Sequence, residues 1–466
     1  MRGGMDEPAV AVHCDQSALV RGPPFDSARR GDACIDMRSD NIDPAPRKYA
    51  NFVTINRRMS RGPSCAPEVT TAAEIEDWLL RDAPQIDDFL LLVEEFFWRI
   101  VASGAPLNRA SLHVGTLHPQ IAGYGMNWMS SDQILDEVVV DLQSRKQDSF
   151  ILNPLYLVFE KGETVRGDPR DAAARERFPL FSDLYEQGVT DYLARPIGRG
   201  GAYHKAATIG TFRPERFSDE EIAGITRLFD IFALHAERHI AAKVARNVVD
   251  AYLGGTAGGE VLSGGILRGD GRPIRAVVWV SDMRGFSERA DRLSPDEVTA
   301  MLNLYFEALS GAVMDHGGEV LKFVGDGLLA VFPVEPLGAA DAARRSLAAA
   351  RDGLARTAAL NAAPPPGLAA AALPLKSGVG LHLGEVFFGN VGAPDRLDFT
   401  VIGRAVNEAS RVEALTKTLG REILLTDPVH ALLDGAHEDM GAHPLRGVAA
   451  PMSLFAASPE MAAETA

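Results

Sequence analysis

Asp282 and Asp326 are the acidic side chains whose setting points to chemistry. The first closes the apolar run IRAVVWVSD, and the second lies inside LKFVGDGLLAVF, with Lys322 four residues before it. Apolar runs of this kind read as buried strands, and buried strands seldom carry unpaired charge. Two carboxylates that meet with few competing ligands make a site for Mg²⁺ or Mn²⁺ with open positions for water and phosphate oxygens. The segment MRGFS, Met283 to Ser287, follows as a turn into a helix whose free N–H groups suit phosphate. Two ions held between carboxylates and a polyphosphate would support an in-line displacement. Downstream, Asn407 and Arg411 stand four apart in a helical stretch, on one face. Taken singly, each aspartate also fits a plain role: a helix N-cap for Asp282, a DG turn for Asp326.

The elements around these residues must bring them together. IRAVVWVSD reads as a strand and is followed by a helix from about Pro295, with Val298, Leu302, Tyr305, Phe306 and Leu309 at helical spacing. GGEVLKFVGDGLLAVFPV reads as a hairpin turning at Gly325, Asp326 and Gly327. An Ala-rich helix over about Leu337 to Leu360, the loop NAAPPPGLAAAALP, strands in LKSGVGLHLGEVFFGNVG and a helix over about Ala405 to Leu419 complete the order βαββαβ. This is an α+β, ferredoxin-like core. Its first strand is expected between, and next to, strands of the hairpin, so that both aspartates converge.

A chain of 466 residues is too long for one core, and its net charge of −16 excludes broad nucleic-acid binding. No run approaches the roughly 20 apolar residues that span a bilayer, and the start MRGGMDEPAV lacks the features of a signal peptide. Cytoplasmic residence without a membrane or nucleic-acid partner is the expectation. Cys14, Cys34 and Cys65 all fall in the first 65 residues, leaving no thiol for a zinc site in the folded part. His235 and His239 have metal-ligand spacing but no third ligand, and read as helix-surface residues.

The divisions expected are a disordered tail over 1–68, an α+β sensor-like module over 69–217, a linker over 218–274, the catalytic core over 275–457 and a short tail over 458–466. Met59 is an alternative natural start. The module opens on a capping box, Thr71 to Glu74, and carries helices through Phe97. Strands are expected at RASLHVGTL, SFILNPLYLVFE and HKAATIGTF. No catalytic constellation stands out in it. A second capping box, Ser218 to Glu221, opens a helix of about thirty residues with a stripe from Ile222 to Tyr252. It reads equally as a parallel dimer stalk or as a helix packed on the first module. Gly254 and Gly255 end it, and GGEVLSGGILRGDGRPIR reads as a Gly-rich joint.

VSDMRGFS, KFVGDGLLAVF and FTVIGRAVNEASR together resemble the catalytic domain of class III nucleotidyl cyclases, over about Arg275 to Phe455. The resemblance implies formation of cyclic AMP or cyclic GMP from the nucleoside triphosphate. It places metal ligands at Asp282 and Asp326, with Met283 beside the first, and phosphate contacts at Gly285, Phe286 and Ser287. It gives Asn407 and Arg411 the ribose and the charge that builds at the α-phosphate. Arg446 of PLRGV is the nearest match to a lysine for the terminal phosphates. Lys322 falls at a base-reading position. A lysine only donates, so it suits the N1 acceptor of adenine and opposes the N1–H of guanine, where guanylate cyclases carry glutamate. Thr400 occupies the second base-reading position, where many adenylate cyclases have aspartate; this pair resembles the class IIIb subgroup, some of whose members respond to bicarbonate.

The family builds each site from two chains, so one chain carrying every position implies a symmetric homodimer with ATP as substrate. The alternatives are a guanylate cyclase, or a catalytically silent protein of cyclase fold. The front module is expected to be GAF-like, with a PAS-like fold as the alternative, and to receive an unknown ligand or protein signal.

Overall fold

The computed structural model describes Arg47, Tyr49, Ala50 and residues 52–459 apart from 143, 145, 146, 199–204, 367 and 449. Cys14, Cys34 and most of both expected tails lie outside the described residues. Order begins earlier than expected. Strand β1 (Val53–Met59) lies within the stretch read as tail and pairs antiparallel with the strand Ile134–Asp141 of the first sheet. The remaining elements of that domain are α1 (Ala72–Arg81), α2 (Phe89–Ala102), β2 (Arg109–Gly115), β3 (Ile121–Met129), β4 (Ile134–Asp141), α3 (Asp148–Ile151), α4 (Pro154–Lys161), β5 (Val165–Gly167), α5 (Ala172–Arg177), α6 (Leu180–Glu186), β6 (Asp191–Pro196) and β7 (Lys205–Thr211).

SFILNPLYLVFE is helical where a strand was expected. Asn153 accepts from the Leu155 N–H at an N-cap and Pro154 takes the first helical position, a start signal that overrides the β-rich composition. The sheet runs β1-β4-β3-β2-β7-β6-β5. On one face Ala110, Leu112, Val114, Ala207 and Ile209 pack with α1 and α2; on the other, Tyr192, Ala194 and Ala206 pack with Leu155, Val158 and Phe181.

Both capping boxes form as read, at Thr71–Glu74 and Ser218–Glu221. Helix α7 (Asp219–Leu253) joins the first core through Ile225, Phe229, Phe232, Ile240 and Val244, so most of its apolar stripe is consumed inside the chain. His239 stacks on Phe89 at 5.0 Å, as a helix-surface ring would. Tyr252, at the end of the stripe, is exposed. The Gly-rich joint is itself partly helical: α8 (Gly255–Leu262) begins one residue after Gly254, the left-handed cap of α7. Ala257, Leu253 and Val261 of this bend pack with the second domain.

That domain holds β8 (Gly271–Met283), α9 (Phe286–Ala290), α10 (Pro295–Asp315), β9 (Glu319–Val324), β10 (Gly327–Pro333), α11 (Ala339–Ala362), β11 (Ser377–Ala393), β12 (Arg396–Ile402), α12 (Arg404–Leu419), β13 (Ile423–Thr426), α13 (Asp427–His430), β14 (Glu438–His443) and β15 (Met452–Ala457). Its sheet runs β14-β15-β13-β11-β8-β10-β9, with β12 paired to β11. The central part, β11-β8-β10-β9, is the expected ferredoxin-like core. One detail differs: β8 lies between β10 and β11, touching only one strand of the hairpin. Trp279, Tyr305, Leu309, Phe332 and Leu381 fill the layer beneath α10 and α11. Among the described residues no helix is long and apolar enough to cross a membrane.

Residues before Met59 contribute more than an edge strand. Asp136, fully buried, accepts from Tyr49 Oη at 2.8 Å and Arg58 Nε at 2.6 Å, with Arg47 Nη1 at 3.6 Å. A chain starting at Met59 keeps the carboxylate and loses all three partners. Its stability should fall by about 3–5 kcal/mol, the cost of stripping a buried ion of its partners; an unchanged urea midpoint would show that β1 and Asp136 are not coupled.

Candidate active site

Register places the two aspartates. Ser281 of β8 pairs with Leu328 of β10, so Asp282, one residue further, stands against the hairpin tip that carries Asp326. Gly325 takes φ 62° in that turn, a left-handed conformation that glycine adopts without strain. Gly327 lies so close that a Cβ there would sit 3.0 Å from the Ser281 carbonyl and 3.6 Å from Asp282 Oδ1. Both aspartates are partly buried. Burial raises the Asp282 pKa above the usual carboxylate value, and the charge of Asp326 and a hydrogen bond with it raise it further; Arg284 opposes them. A divalent cation would relieve the cost of ionising Asp282 beside a second carboxylate. The Met283 side chain is buried in the core, and its backbone carbonyl is the oxygen it could offer a hard cation.

Gly285, in the left-handed conformation at φ 69°, turns the chain into α9, which Phe286 and Ser287 begin. Phe286 rests against the core, while Gly285 and Ser287 are exposed beyond Asp282.

The other matched residues lie elsewhere on the domain. Lys322, on β9, bonds the Asp398 carboxylate of β12 through its ammonium. Two residues along the same strand face, the Thr400 hydroxyl is buried without a hydrogen-bond partner among the described residues. Such an orphan needs an explanation, and a missing ligand is one. Asn407 is exposed on α12; Arg411, one turn on, has its guanidinium beside the backbone of Gly447, next to Arg446. Among the described residues no hydrogen bond or ion pair joins Lys322, Thr400, Asn407 or Arg411 to either aspartate. Within one chain the two halves of the expected site stay apart.

Two residues not singled out from the sequence tie these halves to one frame. Arg284 reaches under α12 to Glu413 at 3.5 Å and to the Thr416 hydroxyl. Glu413 is buried, and burial together with the charge of Asp282 pushes its pKa up to about 7, against the pull of Arg284. The room comes from glycines on one face of β11. A Cβ on Gly378 would fall 1.9 Å from Arg284 Nη2, on Gly380 2.5 Å from the Glu413 backbone nitrogen, and on Gly384 2.5 Å from the Ala405 Cβ. The spacing of these glycines in SGVGLHLG was a legible signal for a helix seated closely on a strand.

Residues 275–454 match the family model described as the adenylate and guanylate cyclase catalytic domain. An adenylate cyclase of Anabaena cylindrica is 34% identical over 171 residues, which are 33% of this chain and 30% of that protein. Adenylate cyclase 1 of Rhizobium meliloti is 35% identical over 154 residues, 32% of this chain and 22% of that one. The crystal structure of the adenylyl cyclase CyaB from P. aeruginosa aligns with a TM-score of 0.35 and 29% identity, over 40% of this chain and 95% of that one. The chain thus spans less than a third of the two curated relatives. Its C-terminal part carries a catalytic domain of the class III adenylate/guanylate cyclase family.

Two outcomes follow from the geometry. Gly380→Ala should lift α12 from the sheet, cost about 1–3 kcal/mol by overpacking and lower activity, because Asn407 and Arg411 ride on that helix; retained stability and activity would show that the close seat is dispensable. The second concerns charge. Since the folded-state pKa of Asp282 is raised, its ionisation removes stability as pH climbs through and above the ordinary carboxylate range. Asp326→Asn should therefore raise the denaturation midpoint at neutral pH in metal-free buffer and shrink the difference between neutral and mildly acidic midpoints. A lower midpoint at neutral pH would mean that the pair does not repel.

Proposed function

We propose that the chain is an adenylate cyclase that converts ATP to 3′,5′-cyclic AMP and pyrophosphate, as a homodimer in the cytoplasm. The observation that supports this reading is that Asp282 lies against Asp326 while, among the described residues, no hydrogen bond or ion pair joins either to Lys322, Thr400, Asn407 or Arg411. A second copy related by a twofold axis would supply the missing half at each of two sites. The adenylate cyclase names of the relatives agree with the reading.

Asp282 and Asp326, with the Met283 carbonyl, would hold two Mg²⁺ or Mn²⁺ ions, which when bound supply charge neutralisation at the triphosphate and acidify the ribose 3′-hydroxyl. The backbone of Gly285, Phe286 and Ser287 lies where phosphate oxygens would approach, and Arg446 would meet the terminal phosphates of the nucleotide seated against its chain. Asn407 orients the ribose. Arg411 donates in a plane to the α-phosphate as the 3′ oxygen attacks and pyrophosphate leaves. Asp282, whose proton affinity is raised, is placed to share the 3′-hydroxyl proton. On the same chain as Asn407 and Arg411, across the dimer from the aspartates, Lys322 donates to adenine N1 and the unpartnered Thr400 hydroxyl accepts from N6, a class IIIb-like pair; for guanine both contacts reverse.

Regulation by the N-terminal domain, read as a GAF-like sensor for an unidentified ligand or protein signal, has a physical route. Helix α7 is rooted in the first core, and the bend into α8 bonds β9, the strand of Lys322: the Ala257 N–H donates to Glu319 Oε1 at 3.3 Å. Rotation of α7 would reach the base-reading lysine within one strand.

Cyclic nucleotide formation should be measured from ATP and from GTP with Mg²⁺ and with Mn²⁺. Asp326→Ala should abolish turnover, and Lys322→Glu should cut ATP use by about 10²-fold or more while relieving discrimination against GTP. Preferred use of GTP by the unaltered protein would make it a guanylate cyclase. Absence of product from either nucleotide would make it a silent protein of cyclase fold. A chain starting at Gly254 would show the sign of the N-terminal control.

A further inference from the structure

We propose that the second face of the N-terminal sheet is a binding site for a small ligand bearing a carboxylate or phosphate group, built on Arg109, Ser111, His113 and Thr208. The reading is independent of the reaction at the C-terminal domain.

Alternation along β2 sends Ala110, Leu112 and Val114 into the core with α1, α2 and α7, so Arg109, Ser111 and His113 face the opposite side. Thr208, between Ala207 and Ile209 of that same core, faces it too. Ser111 and Thr208 are cross-strand partners, and their hydroxyls bond at 2.6 Å; Ser111 Oγ also bonds His113 Nε2 at 2.8 Å. Burial, then the neighbouring guanidinium, lowers the His113 pKa to about 3, so the ring is neutral.

Arg109 stands out because of what it lacks. Every other arginine on a strand of this sheet meets a carboxylate: Arg57 has Asp88, Arg58 has Asp136, Arg166 has Asp191 and Arg195 has Asp230. Arg109 has only a 3.5 Å contact to the Thr208 hydroxyl among the described residues. Burial lowers its pKa and the cation of Arg47 lowers it further, against the opposing pull of Tyr192 and Tyr49. An inward-facing cation without a counter-ion is costly, and its retention is accounted for if the counter-ion arrives from solution. Arg109 and His113 keep partial exposure, which gives such an ion a path.

The residues opposite Arg109 on β7 and His113 on β3 in the ladder are Gly210 and Gly125. A guanidinium fork beside hydroxyl donors is the chemistry that recognises a pair of anionic oxygens, whether carboxylate or phosphoryl.

The test uses the full chain and its thermal midpoint in sodium acetate and in sodium phosphate, against sodium chloride at equal ionic strength. Acetate or phosphate should raise the midpoint saturably relative to chloride, phosphate alone marking a phosphoryl site and both marking any anionic oxygen pair. Arg109→Met should raise the midpoint in chloride, since it removes the unpaired cation, and should lose the anion-specific rise. Thr208→Val, which leaves the guanidinium in place, should weaken the apparent affinity by about tenfold or more. An equal anion response in the unaltered protein and in Arg109→Met, no response at all, or a lower midpoint for Arg109→Met in chloride would each overturn the proposal.

Discussion

The repulsion between Asp282 and Asp326 is the constraint on which the catalytic domain is organised. Two carboxylates are held together because β8 and β10 share a ladder and the β9–β10 turn folds back over the end of β8. Burial, and after it the charge of Asp326, raises the Asp282 pKa, a cost to its ionised form. Burial of Trp279, Tyr305 and Phe332 behind them holds the ladder rigid enough to keep the charges in place. On the function proposed here, this pair would hold the divalent cations.

The same logic extends to α12. Gly378, Gly380 and Gly384 give up side-chain packing so that the helix can sit on β11, and Arg284 threads the gap to Glu413 and Thr416. One short network therefore links the strand of Asp282 to the helix of Asn407 and Arg411. The two groups of matched residues are fixed relative to each other although they do not touch, which is what a site completed by a twofold mate requires.

Charge is handled differently in the N-terminal domain. Asp136, Asp191 and Glu94 are each fully buried and each met by arginine. Such pairs add little net stability but are costly to break, so they fix register and anchor β1, whose sequence alone reads as tail. Against this background of matched ions the unmatched Arg109 becomes informative. The helix α7, rooted in this domain, leads into the bend that touches β9.

Local signals were sufficient for much of this protein. Both capping boxes, the DG hairpin, the βαββαβ order and the elements that carry Asp282, Asp326, Asn407 and Arg411 were legible because each element rests on residues within a few positions of one another. Where nearby cues competed the sequence misled, as at Asn153–Pro154, whose helix start outweighs a β-rich composition. Long-range pairing was out of reach. No local rule joins Val53–Met59 to a strand some eighty residues later, brings Arg284 to Glu413, or seats Lys322 against Asp398. Those contacts depend on which faces the folded sheets turn toward one another. Propensity and spacing act along the chain, whereas burial and counter-charge act through space, so only the tertiary structure could decide which ions met a counter-charge and which, like Arg109 among the described residues, met none.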